Sequence, residues 1–218
     1  KPDGKGYHNE EWYVPAQFME KGRIYWSKSY MDPYSREPMV TCTVPMWDET
    51  GFKGVATIDL KLTGLTDFMA EQAKLIGGYA FAVDRNNRLL SFPSVEGKNS
   101  LSISQKEFPT IQTLVEEHSG FENIANVLNR VDKNIFEDVN NSKSVNIIAL
   151  AEKIDKGSYQ IESKEALKIA AILLGEVYFS KVNELFQIQS DPILYEPSTV
   201  SIFTMPSVGW KLVIAMPE

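Results

Sequence analysis

Residues 38–45 alternate from face to face, Asp48-Glu49-Thr50-Gly51 reads as a turn, and residues 54–62 read as the next strand. Successive side chains of a strand point to opposite faces, so Met39, Thr41 and Thr43 share one face and Val40, Cys42 and Val44 the other. An Asp-to-Gly break between two alternating runs marks a reversal. Residues 38–45 and 54–62 therefore predict an antiparallel pair, which rules out all-helical and all-parallel folds for this part of the chain.

The remaining punctuation extends that frame. Residues 11–21 carry Trp12, Phe18 and Met19 at helical spacing despite Pro15, and residues 24–31 are rich in aromatic and β-favouring types up to Asp32-Pro33. Leu65, Phe68, Met69 and Ala73 form one stripe of a helix over 62–75, stopped by Gly77-Gly78. Residues 79–84 and 88–92 read as a hairpin turning at Arg85-Asn86-Asn87. From about 101 to 194 the pattern is mainly helical, strongest over 162–186, where Leu167, Ala170, Leu173, Leu174, Val177 and Val182 make a stripe. Residues 138–144 are polar and Asn-rich, and read as a loop. Two strands follow, 199–205 and 210–216, joined at Pro206-Ser207-Val208-Gly209. Strands on both sides of a long helical stretch make an α+β chain, and periodicity alone favours one domain with an inserted helical lobe.

Composition removes several functions. A formal charge of -7 and the lack of a basic run argue against nucleic acid as a partner. Cys42 is the one cysteine and His8 and His118 the two histidines, so zinc-type spacings are absent. Cys42 reads as a small buried hydrophobe, and His118 as a helix-end residue. No phosphate-cradling glycine loop, nucleophile elbow or paired-histidine helix is visible. No leader or spanning stretch is visible either, the apolar run at 170–174 being too short. Asn140-Asn141-Ser142 matches a glycosylation acceptor, a pattern common by chance. Both ends of the sequence read as cut from a longer product.

Four groups of residues stand in an order that resembles the double Cache (PAS-like, PDC) family of sensor domains. They are Trp12-Tyr13; Trp26-Ser27-Lys28-Ser29-Tyr30-Met31-Asp32; Val40-Thr41 with Pro45; and Gly54-Val55-Ala56-Thr57-Ile58-Asp59-Leu60. Gly78 to Asp84 running into Leu89 resembles the opening hairpin of that family's membrane-proximal module, and Gly209-Trp210-Lys211-Leu212-Val213 its last strand. The resemblance implies PAS-like antiparallel sheets flanked by helices in two tandem modules. The membrane-distal one would occupy 1–76 and lack its N-terminal helix and first strands. The membrane-proximal one would occupy 77–218, with a helical insertion at about 101–194. It implies the periplasmic or extracellular sensing part of a bacterial membrane receptor, whose output is a histidine kinase, a diguanylate cyclase or phosphodiesterase, or a chemoreceptor. It implies no enzymatic activity in the sensor itself, no cofactor, a membrane tether, and a homodimer in the full-length receptor that weakens in this fragment.

The ligand would be an amine or amino-acid-like compound. Tyr30 and Asp32 lie two apart on a strand and so point to one face, and Asp59 is expected nearby. Carboxylates accept hydrogen bonds from an ammonium group and aromatic faces add cation–π attraction. In the resembling family, matching positions hold a ligand's amine, with Trp12, Tyr13 and Tyr30 shaping the pocket. Trp26 borders this set, although Trp26, Trp47 and Trp210 read first as strand packing. Amino-acid-binding members carry arginine two residues before the tryptophan, and here that residue is Glu10, which favours an amine over a zwitterion. The alternatives are that Asp32 caps its turn, Asp59 ends a strand and Glu10 is solvated, leaving a structural or protein-interaction domain. An acid–base pair of Asp32 and Asp59 in a hydrolase is a further alternative.

Overall fold

A computed structural model describes residues 6–93, 108–141, 144–175, 183–205 and 207–218. It divides into two compact units, each assembled from separated stretches. Residues 1–28, 39–60 and 135–178 form the first, and residues 29–38, 61–134 and 179–218 the second.

The expected antiparallel pair is present as β3 (Pro38–Asp48) and β4 (Gly51–Lys61). β1 (Tyr25–Trp26) also pairs with β3, and β2 (Tyr30–Met31) is a further short strand. The single strand expected over 24–31 is thus two short ones. Ser27 Oγ accepts the Thr41 N–H at 2.8 Å, and the Lys28 N–H turns to the Glu11 carboxylate at 3.1 Å, so the ladder is interrupted there. The β3–β4 turn is closed by Asp48, whose Oδ1 accepts from the Thr50 N–H at 2.7 Å. That bond holds the Asp48 carboxyl below its ordinary range.

The helix expected over 11–21 shrinks to a 3-10 turn, Pro15–Phe18, with Pro15 at its start where a missing N–H costs nothing. Val14, Ala16 and Met19 from this turn are buried against α4 (Val145–Gly157) and α5 (Ser163–Leu174). Ile147, Ala151 and Ile154 of α4 meet Ala166, Ile169, Ala170 and Leu173 of α5, at the helical spacing that makes one buried face. The stripe is therefore turned from the expected one: Leu167 is half-buried and Leu174 exposed, while Val177 and Val182 lie outside the described residues. Gly175, with φ +65°, ends α5, and Arg23 donates to the last-turn carbonyls of Leu173 (2.8 Å) and Ile172 (3.2 Å).

α3 (Glu122–Asn141) continues through 138–141, where the polar composition predicts a loop. Val139 is buried in the first unit's core and gives that turn an apolar anchor. The Ser142 of the glycosylation pattern lies outside the described residues.

In the second unit five antiparallel strands run in the order β6-β5-β9-β8-β7. They are β5 (Tyr79–Val83), β6 (Leu89–Ser91), β7 (Glu184–Ile188), β8 (Ser198–Met205) and β9 (Trp210–Pro217). β7 corrects the helical expectation for 184–188. Leu185 and Gln187 are exposed while Phe186 is half-buried and Ile188 buried, a period of two rather than 3.6. The segment after it is not helical either. Asp191 Oδ1 accepts from the N–H groups of Ile193 (2.8 Å) and Leu194 (3.0 Å), making a turn. Its Oδ2 accepts from Ser198 (2.8 Å) and Tyr79 (3.1 Å), and burial with Asp191 beside it pushes the Tyr79 hydroxyl well up. α1 (Leu62–Lys74) packs on β5 and β6, and α2 (Ile111–Glu117) opens with a Thr110–Thr113 capping box. Between α1 and β5, Gly78 is indispensable, since a Cβ there would stand 1.9 Å from the Ala215 carbonyl oxygen.

Candidate functional site

The turn over residues 7–13 gathers aromatic rings because its backbone folds back twice. Glu10 N–H donates to the Tyr7 carbonyl, and Tyr13 N–H to the Glu10 carbonyl, both at 3.0 Å. Tyr7 thereby stacks parallel to Trp12 at 6.3 Å and meets Tyr13 edge-on at 5.4 Å, while His8 meets Tyr13 edge-on at 5.0 Å. Phe52 of β4 joins Tyr13 at 5.9 Å and Trp47 of β3 at 5.4 Å. Tyr13 is buried, and burial followed by the neighbouring Tyr7 raises its hydroxyl. Tyr7 remains 48% exposed, so one end of the cluster faces solvent. Trp12 and Tyr13, two of the expected pocket residues, are thus in contact at 5.9 Å.

Glu10 is half-buried. Its carboxylate accepts from Gln160 Nε2 at 2.8 Å and lies 3.5 Å from the Tyr159 hydroxyl, in the connection between α4 and α5. Beneath Glu10 lies a charged network outside the expected set. Glu11 is buried and accepts from the Tyr25 hydroxyl and the Lys28 N–H. Lys28 Nζ pairs with Glu165 at 3.3 Å and donates to the Gln160 carbonyl. Buried carboxylates of this kind are retained only where donors surround them.

The other expected residues are placed as follows. Trp26 is half-buried in β1 opposite Cys42. Burial raises the Cys42 thiol. Asp59 sits exposed on β4 and accepts from Thr41 Oγ1 at 2.8 Å. Tyr30 is half-buried in β2. Asp32 caps its own loop, accepting from the N–H groups of Ser35 (2.6 Å) and Tyr34 (3.2 Å), and the Ser35 bond chiefly holds its carboxyl below the ordinary range. Glu10, Trp12, Tyr13, Trp26 and Asp59 belong to the first unit, Tyr30 and Asp32 to the second. A cavity of about 410 Å³ in the first unit is lined by Gln17 to Lys21 and Trp47, none of them in the expected set.

In the second unit, Lys211 of β9 is buried, with Nζ 2.6 Å from Asn87 Oδ1, 3.4 Å from the Asp84 carbonyl and 3.6 Å from Asp132. Tyr7, His8 and Glu11 carry no periodic signal, being single charged or aromatic residues in a short turn. Lys28 and Lys211 do stand inside the quoted motifs. Among the described residues no group of three His, Cys, Asp or Glu side chains could hold a metal ion, and no helix is long and apolar enough to cross a membrane.

Residues 2–67 match the family model of the first PDC sensor domain of methyl-accepting chemotaxis protein-like proteins. The chain is 31% identical over 102 residues to the methyl-accepting chemotaxis protein McpC of Bacillus subtilis (strain 168), a match covering 47% of this chain and 15% of McpC. Two solved structures share the fold. The extracellular domain of mmHK1S-Z3, named as a histidine kinase, matches with a TM-score of 0.51 at 14% identity, covering 97% of this chain and 55% of that one. The ligand-binding domain of the Pseudomonas fluorescens chemoreceptor CtaA, in complex with L-leucine, matches with a TM-score of 0.50 at 14% identity, covering 100% of this chain and 62% of that one. The chain thus spans a small part of McpC and little more than half of the two domains. Its resemblance to Cache-type PDC sensors and its α+β class of antiparallel sheets with helices are borne out.

Proposed function

We propose that this chain is the extracytoplasmic ligand-sensing part of a membrane signalling receptor, and that its ligand is an amine or amino-acid-like molecule. The observation that carries the ligand class is the turn over residues 7–13, which carries Glu10 on the same short segment as the stacked Tyr7 and Trp12 rings, within the stretch matching the sensor family. An ammonium group gains a charge-assisted hydrogen bond from the carboxylate and cation–π attraction from the rings. A carboxylate at Glu10 repels the acid end of a zwitterion, so a simple amine is favoured. Asp32 and Asp59 are assigned to the ligand by family resemblance, and are tested singly because they fall in different units.

The probe pair is L-leucine, the molecule bound in CtaA, and isoamylamine, the same skeleton without its carboxylate. Isoamylamine should raise the melting temperature more than leucine does. Trp12→Ala and Glu10→Gln should each weaken it by about ten- to a hundredfold, the equivalent of about 1.5–3 kcal/mol for a bond to a charged group. Asp32→Ala and Asp59→Ala should each weaken it comparably. Leucine binding more tightly, with Glu10→Gln without effect, overturns the amine assignment. If neither molecule nor a wider screen of amines and carboxylates stabilises the protein, the domain is an interaction module instead.

We place the membrane-distal module at 1–76, supported by the family match ending at residue 67, and the membrane-proximal module at 77–218, of which α4 and α5 pack within the first unit. The tether, the homodimer of the full receptor and the nature of its output domain belong to the same proposal.

A further inference from the structure

The turn over residues 7–13 is gripped by a segment far away in sequence, the α4–α5 connection at residues 157–160. Both belong to the first unit. Asn9 Nδ2 donates to the Gly157 carbonyl at 2.9 Å, and Ser158 Oγ donates to the Asn9 carbonyl at 2.8 Å. A Cβ on Gly157 would stand 2.8 Å from Val14 Cγ1, so glycine lets the connection come this close.

Gln160 is the residue of this connection that meets a charge squarely. A side-chain amide accepts at its oxygen and donates at its nitrogen. Gln160 Oε1 accepts the Glu11 N–H at 3.0 Å, and Nε2 donates to Glu10 Oε2 at 2.8 Å, across 150 positions of sequence. With its oxygen taken by a backbone donor, the amide has one usable orientation, nitrogen toward Glu10. The main chain of the same residue is held as well, since Lys28 Nζ donates to the Gln160 carbonyl and pairs with Glu165 at 3.3 Å. A carboxylate anchored at one oxygen has lost rotamer freedom before any ligand arrives, and holding a group in its binding geometry beforehand raises affinity. We propose that Gln160 is a positioning residue of the ligand site: it orients the Glu10 carboxylate toward an ammonium group, so the preference for an amine over a zwitterion depends on the α4–α5 connection. The inference rests on reading residues 7–13 as the ligand site.

Titration calorimetry of the whole chain with isoamylamine and L-leucine tests it. Gln160→Met keeps the length of the side chain and removes both amide bonds. It should lower the affinity for isoamylamine by about tenfold and change that for leucine by less than about threefold. In a Glu10→Gln background the same substitution should change neither affinity by more than about twofold, because there is no charge left to direct. A merely structural role would weaken both molecules alike and would persist in that background. Ser158→Ala removes a tether that does not touch Glu10, and should leave the ratio of the two affinities within about twofold of the parent. Circular dichroism shows whether each variant is folded. Gln160→Asn, which draws the amide back by one methylene, should lower the ratio in the same direction and decides the matter if Gln160→Met does not fold. A parent that does not prefer isoamylamine, or a Glu10→Gln variant that binds it unchanged, overturns the amine reading and this inference with it. If both of those hold, Gln160 variants that leave the ratio at its parent value, or a Ser158→Ala ratio that falls as far as theirs, overturn the role of Gln160 alone.

Discussion

Replacing Glu11 with alanine should cost the first unit more than any surface change. The carboxylate is 3% exposed and serves two donors, the Tyr25 hydroxyl and the Lys28 N–H, the latter at 3.1 and 3.3 Å from its two oxygens. A hydrogen bond to a charged group is worth about 1.5–3 kcal/mol, so the pair sums to about 3–6 kcal/mol. Water entering the vacated space recovers part of this, leaving about 3 kcal/mol. At a urea slope of about 2 kcal/mol per molar, the midpoint should fall by about 1.5 M. Trp12, Trp26 and Trp47 lie in the first unit and Trp210 in the second, so tryptophan fluorescence in a Trp210→Phe background follows the first unit. Tyr25→Phe removes one donor and should lose about half as much. A midpoint within about 0.3 M of the parent for Glu11→Ala would refute the buried network as a source of stability.

Other outcomes follow from single residues. Gly78→Ala drives a Cβ to within 1.9 Å of the Ala215 carbonyl oxygen and should unfold the second sheet, at a cost above about 4 kcal/mol; Gly175→Ala, with φ +65° and no atom within 4 Å, should cost only about 1 kcal/mol in thermal melts. The folded Asp32 carboxyl titrates below its ordinary 3.8, so its contribution to the loop is full above that value and lost as pH falls through the lower folded one. Amide exchange at Ser35 should accelerate over that acid range in the parent and be pH-independent, apart from the intrinsic rate, in Asp32→Ala. Burial raises the Cys42 thiol, so its alkylation at neutral pH should be slower than that of a free thiol and should still be accelerating at pH values where the free thiol has levelled off.

Much of the sheet framework was legible because it is written in local periodicity. Met39 to Val44, the Asp48 turn, and the hairpin closing at Asn87, whose φ of +59° suits asparagine, needed no distant partner to be read. What failed depended on contacts far away in sequence. The run 24–31 has strand composition throughout, but Glu11 and Ser27 divert its hydrogen bonds. β7 looks helical because Leu185 and Phe186 extend the preceding apolar stripe, and only the sheet partner β8 supplies the competing order. Of the candidate site, Trp12 and Tyr13 were reached through motif order. Tyr7 and His8 precede the motif, and Glu11 sits between two motif-flagged residues with no pattern of its own.

The first unit joins residues 9–23 to residues 157–173, the Arg23 bond to Leu173 spanning 150 positions. A nascent chain appears from its N-terminus at about 5–20 residues per second, so Val14, Ala16 and Met19 wait about 8–30 s before α5 exists to cover them. Over that interval their apolar surface has no native partner from α5, and a growing chain carrying them is open to capture by a holdase or by its neighbours on the same message. Assembly of this unit is therefore paced by synthesis, and a slow stretch of translation after residue 60 should lower the yield of folded protein more than one after residue 175.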